Sequence, residues 1–214
     1  MISKIVLTGG PCAGKTKVLS KIKRFLMEKG YVVFVVPESA TELMAGGITP
    51  HKDNVGLYEF QKLILFYQYQ KELIYDSAAE QFNHSEVVII YDRGIMDNKA
   101  YIGNDAYDNL VCDLSTKVGF ELSEQELCDR YDMVLHLVTS AGTKYFGYDT
   151  NTFRYEKEDE ALLLDQKTRE AWGGHSNLVI IDSTDNFDDK VDNVFNVVLN
   201  YLENRKGKKR VRKK

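Results

Sequence analysis

The residues most suited to chemistry lie near the amino end, where Gly9–Thr16 follows the pattern Gly-x4-Gly-Lys-Thr. Glycines at the fixed positions allow backbone angles that side chains forbid, so successive N–H groups can turn toward phosphate oxygens. Lys15 supplies a positive charge to the β- and γ-phosphates, and the Thr16 hydroxyl suits Mg²⁺. The pattern predicts a nucleotide-binding loop with these contributing residues: Gly9, Gly10, Pro11, Cys12, Ala13, Gly14, Lys15, Thr16 and Lys17.

The segments on either side of this loop support the prediction. An apolar strand over residues 4–8 precedes it, and a helix with apolar residues at helical spacing follows it and ends at Gly30. A chance match in a glycine-rich turn would not require this context. The helix also directs the positive end of its dipole toward a bound anion.

Two charged residues follow the apolar segment 87–91, which we predict to be the third strand. Asp92 lies where ligands bind in open α/β sheets, and a carboxylate there can hold Mg²⁺ directly or through water. The alternative for Asp92 is an ordinary strand-end residue that caps a turn. Arg93 could reach a phosphate or an acceptor, and the alternative for it is a surface ion pair.

Glu38 ends the second predicted strand, residues 31–36, directly after Pro37. A carboxylate at this position would overhang the nucleotide crevice and could accept the proton of an attacking hydroxyl. The alternative is a residue in the first turn of a helix, because Thr41–Met44 has helical character.

A closing segment is expected after the fourth strand. Residues 145–154 are polar and aromatic and contain glycine and asparagine, so we predict a mobile loop there. Arg154 and Arg169 flank and occupy the charged helix that follows, where arginines could clamp phosphate. The alternative is that both belong to an ordinary solvated surface.

The order of the elements predicts the fold class. Apolar segments at 4–8, 31–36, 87–91, 133–138 and 178–181 alternate with helical segments that include 57–82, 156–172 and 187–203. Ser123 and Glu126 form a capping box that opens a short helix. Strands that alternate with helices imply crossover connections and a mainly parallel sheet, so we expect a doubly wound α/β domain.

Composition limits the function. The 214 residues are 43% hydrophobic and 28% charged, enough for a real core, and lack an 18-residue apolar span or a secretory leader. Residues 205–214 carry eight of the 28 basic residues and no acidic one, which leaves 20 basic against 32 acidic residues in 1–204. A broad nucleic-acid face on that body is therefore disfavoured.

We accordingly expect one domain, 1–204, and a disordered basic tail, 205–214. Nuclear import, RNA or an acidic membrane surface are alternative uses of such a tail. Three cysteines are too few for a disulfide framework and indicate a reducing cytoplasm, with the nucleus as an alternative if the source is eukaryotic.

Several motifs together resemble one P-loop family of small AAA-type domains, which includes the TRPL-translocation-defect proteins and the nicotinamide-riboside kinase portion of the bacterial NAD regulator. The resemblance covers nearly all of residues 1–200 and rests on these segments: Thr8–Thr16, Pro37–Thr41, Tyr91–Gly94, Arg154–Glu156, Ala171–His175 and Ile181–Thr184. It implies a P-loop NTPase three-layer sandwich of kinase-like build with strand order 2-3-1-4-5. It also implies that Lys15 and Thr16 serve phosphate and Mg²⁺, and that Glu38 stands where deoxynucleoside-kinase relatives place their base.

The expected activity is transfer of the γ-phosphoryl group of Mg·ATP to a small hydroxyl acceptor, such as a nucleoside or a cofactor precursor. The expected catalytic residues are Lys15, Glu38, Asp92, Arg93 and Arg154. ATP is favoured over GTP because Asn98–Tyr101 carries tyrosine where a guanine-reading motif requires aspartate. The alternatives are an ATP- or GTP-binding regulatory NTPase that acts through a protein partner, and an adaptor that docks through its basic tail.

Overall fold

A five-stranded parallel sheet forms the centre of the molecule. The computed structural model describes residues 1–82, 85–143 and 157–212, with side chains up to residue 207. The strands are β1 (Ile2–Thr8), β2 (Val32–Val36), β3 (Val87–Asp92), β4 (Met133–Leu137) and β5 (Leu178–Ile181). They lie in the order β2-β3-β1-β4-β5, and every neighbouring pair is parallel. The predicted P-loop NTPase α/β fold and its strand order are confirmed.

Eight helices of the described ranges surround the sheet. They are α1 (Lys15–Glu28), α2 (Ser39–Ala45), α3 (Leu57–Glu80), α4 (Asp97–Ile102), α5 (Asn104–Val118), α6 (Glu124–Cys128), α7 (Glu158–Ala171) and α8 (Phe187–Arg212). Among them, none combines the length and the hydropathy of a membrane span.

Alternate residues of each strand face two separate hydrophobic cores. Val6 of β1 and Ile89 of β3 pack into the core that contains α3, α5 and the fully buried Trp172. Their neighbours Ile5 and Ile90 pack into the core formed with α1 and α8. Since both faces of the sheet are covered, apolar residues follow one another along the strands and do not alternate with polar ones, as in Ile5–Leu7 and Val87–Ile90.

The strand order places the site. β1 lies between β3 and β4, and Leu7 of β1 is in register with Asp92 of β3. The segments that follow these two strands therefore leave the same edge of the sheet side by side. This edge is where open α/β sheets bind ligands.

The carboxyl-terminal helix is longer than we expected. α8 continues to Arg212 rather than ending near Glu203, so the tail is helical over 205–212 and not disordered there. Arg205 explains part of the difference, since its guanidinium lies 2.7 Å from the Asp132 carboxylate and donates to the Ser3 hydroxyl at 3.2 Å. Lysine and arginine are also good helix formers and suit the negative end of the helix dipole.

Other element boundaries differ by small amounts or were missed. α3 ends at Glu80 rather than residue 82, and the Ser123–Glu126 capping box is confirmed at the start of α6. α4 and α5 were not predicted, although the buried residues of α5 have helical spacing. The predicted loop over 145–154 lies outside the described residues. All three cysteines are free thiols.

Candidate nucleotide and acceptor site

The predicted nucleotide-binding loop connects β1 to α1, and its carbonyl oxygens are held from outside. The Thr139 hydroxyl donates to the Pro11 carbonyl, and the Ser140 hydroxyl donates to the Cys12 carbonyl at 2.9 Å. Lys190 of α8 donates to the Ala13 carbonyl at 3.1 Å. Three successive carbonyls are thus bonded to the residues after β4 and to α8.

This anchoring orients the amides of the loop. The peptide bonds are trans. In a planar trans peptide the N–H of one residue points in the opposite direction to the carbonyl of the residue before it. The N–H groups of Cys12, Ala13 and Gly14 therefore point away from the anchoring residues. Such a row of N–H groups is the arrangement that binds phosphate oxygens, and it precedes the positive end of the α1 dipole.

The two fixed glycines of the pattern are required by this shape. Gly9 has φ +135°, and a Cβ there would lie 2.0 Å from the Leu137 carbonyl oxygen. Gly14 has φ +82°, and a Cβ there would lie 2.5 Å from the Phe187 ring. Both positions combine a left-handed backbone with no space for a side chain.

Asp165 of α7 supports the start of the loop. Its Oδ1 accepts from the Gly10 N–H at 2.8 Å and from the Thr139 N–H at 3.1 Å. The Nε2 of the buried His136 lies 3.3 Å from the same oxygen. Burial opposes ionisation of Asp165, but the nearby His136 ring and the hydrogen bonds from the Gly10 and Thr139 N–H groups outweigh burial and lower its pKa.

Lys190 is an unusual buried cation. Its ammonium donates to the Val138 carbonyl at 2.6 Å as well as to Ala13. Desolvation lowers its pKa to about 8, against the opposing effect of Asp165 and Asp182. Lys190 therefore ties the loop, the end of β4 and α8 together. Sequence reasoning missed it because its helix shows only an ordinary amphipathic pattern.

The three polar residues that open α1 differ in their surroundings. Lys15 is only 4% exposed, and its ammonium donates to the Gly9 and Gly10 carbonyls at 2.9 and 2.7 Å. Thr16 is exposed in the first turn of α1, so its hydroxyl is accessible to a cation. Lys17 is also exposed, and its ammonium lies 5.8 Å from the centre of the Phe187 ring.

Glu38 and Arg93 form an ion pair beside the loop. Arg93 Nε donates to Glu38 Oε1 at 2.6 Å, and the Thr41 hydroxyl donates to Oε2 at 2.6 Å. Arg93 Nη1 also donates to the Gly9 carbonyl at 3.4 Å. Glu38 occupies the N-cap position of α2, but its carboxylate bonds these side chains and not the backbone. Arg93 is thus half-buried in the site and not in a surface pair.

The charges around Glu38 set its protonation state. Burial alone would raise the pKa of this carboxyl, but Arg93, the Thr41 hydrogen bond and Lys15 outweigh burial and lower it to about 2. Glu38 is therefore a carboxylate at neutral pH and a weak base while Arg93 is paired with it.

Lys71 of α3 fixes the segment that carries Glu38. Its ammonium is buried, donates to the Pro37 carbonyl at 2.6 Å and pairs with Glu42 of α2. Desolvation lowers its pKa, although Glu42, Asp92 and Glu38 act in the opposite direction. Asp92 itself stands at the end of β3, next to Leu7 of β1.

Asp97 is a buried carboxylate that sequence reasoning did not select. It is 3% exposed and accepts from the Thr8 hydroxyl at 2.5 Å and from the Trp172 indole N–H at 2.8 Å. Its other oxygen lies 3.7 Å from Arg93 Nη1. The same indole leaves no space at Gly94, where a Cβ would lie 2.5 Å from the ring. Asp97 thus links β1, the residue that follows α7 and the turn after β3.

Two cavities flank the loop. The first, named the α2–α3 cavity, has a volume of about 270 Å³ and includes Pro11 of the loop in its lining. Its polar lining consists of Glu38, Ser39, Thr41, Gln61, Gln68, Arg93, Asp97, Asn98 and Tyr101. The second, named the loop–α8 cavity, has a volume of about 420 Å³ and is lined by Cys12, Ala13, Gly14, Lys17, Ser140, Thr143, Ser183, Thr184, Asp185, Asn186, Phe187 and Lys190.

The structure thus brings most predicted site residues to one edge of the sheet. The loop residues, Glu38, Asp92 and Arg93 meet there. Arg154 lies outside the described residues, so its role stays a prediction. Arg169 is exposed near the end of α7 and lines neither of these two cavities.

A comparison with known families agrees with this geometry. A family model described as an AAA domain matches residues 4–190, from β1 to the start of α8. The match covers the loop and both cavities and supports P-loop nucleotide binding. The match does not test the narrower resemblance to TRPL-translocation-defect proteins and nicotinamide-riboside kinases, so that resemblance stays a prediction. No curated protein matches the sequence.

Acid should destabilise the protein partly through Glu38. Its pKa of about 2 in the fold lies below the ordinary 4.5, so its contribution to stability is present above pH 4.5 and is lost as the pH falls toward 2. The shift corresponds to about 3 kcal/mol. Urea unfolding at pH 7, 4.5 and 3 should show that the free energy of unfolding falls less steeply with pH in Glu38→Gln than in the wild type. Glu59 is exposed, so Glu59→Gln should show the same pH dependence of the free energy of unfolding as the wild type. The same pH dependence in Glu38→Gln would contradict the lowered pKa of Glu38.

Lys190→Met should weaken both the fold and nucleotide binding. The substitution leaves the Ala13 and Val138 carbonyls without their donor, at a cost of about 1–3 kcal/mol in the free energy of unfolding. The peptide that carries the Gly14 N–H also loses its anchor, so the thermal shift produced by Mg·ATP should shrink. Lys23→Met, which removes an exposed lysine of α1, should change neither quantity. A normal thermal shift in Lys190→Met would argue against the anchoring role.

Proposed function

The chain belongs to this family of AAA domains, and we propose that it is a kinase-like phosphotransferase that moves the γ-phosphoryl group of Mg·ATP to a small hydroxyl acceptor. The observation that carries the proposal is the pair of cavities on either side of one loop, with Cys12–Gly14 lining one and Pro11 lining the other. A phosphotransferase needs a donor and an acceptor site that meet at the phosphates. A hydrolase needs no second cavity for an organic acceptor.

The loop–α8 cavity is the proposed site for the nucleoside part of the donor, whose phosphates would continue into the inner side of the loop. The Pro11, Cys12 and Ala13 carbonyls are bonded on the outer side of the loop. The N–H groups of Cys12, Ala13 and Gly14 would therefore face the phosphates on its inner side. The Lys15 ammonium lies within the same loop, where it can neutralise charge on the β- and γ-phosphates. The segment 183–187 would then face the nucleoside part of the donor.

The oxygen donors at the site fit Mg²⁺. The exposed Thr16 hydroxyl and the Asp92 carboxylate are hard ligands, and octahedral Mg²⁺ uses few such protein ligands and keeps several waters. Thr16 and Asp92 would hold the ion, partly through water. When bound, Mg²⁺ supplies charge neutralisation at the phosphate oxygens.

The α2–α3 cavity is the proposed acceptor site, and Glu38 and Arg93 face it together. The Glu38 carboxylate can accept a hydrogen bond from the acceptor hydroxyl and orient it toward the γ-phosphorus. As the new O–P bond forms and the bond to the β-phosphate oxygen breaks, the hydroxyl proton passes to Glu38. A weak base suffices because the transition state is loose and catalysis depends mainly on position and charge.

Residues 98–101 do not form a guanine-reading motif for the donor. Asn98 and Tyr101 belong to α4 and line the α2–α3 cavity, on the other side of the loop from the proposed donor site. They are therefore badly placed to read a donor guanine. This location agrees with the absence of aspartate from the Asn98–Tyr101 segment.

Two substitutions should separate binding from transfer. Glu38→Gln should lower acceptor-dependent turnover about 10²–10⁴-fold, the usual contribution of a general base, and leave Mg·ATP affinity nearly unchanged. Lys15→Ala should abolish Mg·ATP binding. Both effects are measured by calorimetric titration with Mg·ATP and by phosphate transfer to a panel of nucleosides and cofactor precursors.

Glu59→Gln is the matched control and should behave as the wild type in both assays. Slow hydrolysis with no dependence on any acceptor would contradict the transferase and favour the regulatory NTPase.

A further inference from the structure

A buried ion pair lies outside both cavities, between α3 and the segment that precedes β4. The Glu72 carboxylate of α3 is 1% exposed, and its Oε2 accepts from Arg130 Nε at 2.6 Å. Neither residue lines the α2–α3 cavity or the loop–α8 cavity, and the proposed transfer step does not use them. A buried ion pair adds little net stability, because desolvation of the two charges opposes their attraction. Its role therefore depends on what else the Glu72 carboxylate bonds.

The other oxygen of Glu72 fixes the direction of a tyrosine hydroxyl. Tyr131 donates to Glu72 Oε1, and its own oxygen accepts from the Ile95 N–H at 2.9 Å. Burial raises the pKa of Glu72, and the positive charge of Arg130 favours its ionised form. An ionised carboxylate only accepts, and a phenol hydroxyl has a single hydrogen. The hydrogen of Tyr131 therefore points to Glu72, and an oxygen lone pair is left for the Ile95 N–H.

The amide that this hydroxyl bonds belongs to the turn 93–95, which follows β3. Two other side chains hold the same turn. The Gln68 amide donates to the Arg93 carbonyl at 3.0 Å. An Asp97 carboxylate oxygen accepts from the Gly94 N–H at 3.3 Å. Arg93 has φ +69°, a left-handed angle that is strained in a residue with a side chain. The direction of the Arg93 side chain therefore depends on these bonds.

Tyr131 is surrounded by other aromatic rings. Its ring centre lies 5.3 Å from that of Tyr91 and 5.4 Å from that of Trp172, and both contacts are edge-to-face. A phenylalanine would make the same ring contacts, so packing does not account for the hydroxyl. The Tyr91 hydroxyl is also buried, but it has no hydrogen-bond partner in the part of the chain that the structure describes. The same core thus contains one tyrosine hydroxyl that holds the turn and one that does not.

We infer that Tyr131 is a positioning residue, which keeps the Arg93 guanidinium against Glu38 by holding the turn that follows β3. The ion pair of Glu72 with Arg130 directs the Tyr131 hydroxyl and acts through it. Tyr131 itself lines neither cavity. Its effect on the pair of Glu38 with Arg93 is independent of any reaction, and only its effect on turnover rests on the proposed function.

Titration of Glu38 tests this role without an activity assay. Burial raises the pKa of Glu38, and Arg93, with Thr41 and Lys15, lowers it to about 2. Tyr131→Phe removes only the hydroxyl, so the turn loses a bond and Arg93 should spend less time against Glu38. The pKa of Glu38 should then rise toward the ordinary 4.5. Carbon-13 NMR of the Glu38 carboxyl in the full chain, recorded between pH 7 and 3, measures this change.

Tyr91→Phe is the matched control, because it removes a buried tyrosine hydroxyl from the same core without removing a bond to the turn. It should leave the titration of Glu38 as in the wild type. An unchanged pKa of Glu38 in Tyr131→Phe, or an equal rise in Tyr91→Phe, would overturn the inference.

Two substitutions of Arg130 test the ion pair behind the tyrosine. Arg130→Lys keeps a positive charge beside Glu72 and should keep the wild-type titration of Glu38. Arg130→Met removes the charge, so Glu72 should bind a proton and the direction of the Tyr131 hydrogen is no longer fixed. The pKa of Glu38 should then rise as it does in Tyr131→Phe. The same pKa in Arg130→Met as in the wild type would exclude the ion pair from the positioning role.

Transfer kinetics keep the two proposals apart. A displaced Arg93 should lower kcat for phosphate transfer by up to about 10²-fold in Tyr131→Phe and leave the affinity for Mg·ATP nearly unchanged. If the wild type phosphorylates no acceptor while the pKa of Glu38 rises in Tyr131→Phe, the positioning role stands and the phosphotransferase fails. If the wild type and Tyr131→Phe share the same kcat and the same pKa of Glu38, the positioning role fails and the phosphotransferase stands.

Discussion

A trans peptide group cannot turn its carbonyl and its N–H to the same side, and the functional edge of this domain depends on that constraint. Thr139, Ser140 and Lys190 hold three successive carbonyls of the loop, and they lie 128 to 177 residues away in sequence. The short glycine-rich pattern permits the loop conformation. The packing of β4 and α8 against it selects that conformation.

The second organising feature is a run of buried charges across the neighbouring strands. Arg93 has φ +69°, a left-handed angle that costs a non-glycine residue about 1–3 kcal/mol. Its guanidinium is held by Glu38, by Asp97 and by the Gly9 carbonyl. Charge-assisted bonds of this kind offset the strain and keep the side chain against the loop. Strands β1, β2 and β3 are therefore joined at their carboxyl ends by side chains as well as by the sheet.

The sequence predicted the structural features that depend on residues close together along the chain. The apolar segments, the Ser123 capping box and the Gly9–Thr16 pattern each lie within a few residues, and the strand order came from a resemblance that several motifs carry together. Asp97, Asp165 and Lys190 could not be found in this way, because each acts on a segment 75 or more residues away. α5 could have been found, since Tyr107, Leu110, Val111 and Leu114 have helical spacing.

The single tryptophan of the chain has an optical consequence. Trp172 is fully buried, and its indole N–H is bonded to Asp97, whose other oxygen lies 3.7 Å from Arg93. Indole emission responds to nearby charge and to hydrogen bonding of its nitrogen. The fluorescence of the native chain therefore reports on the Arg93 region without any attached dye, and no second indole contributes to the signal.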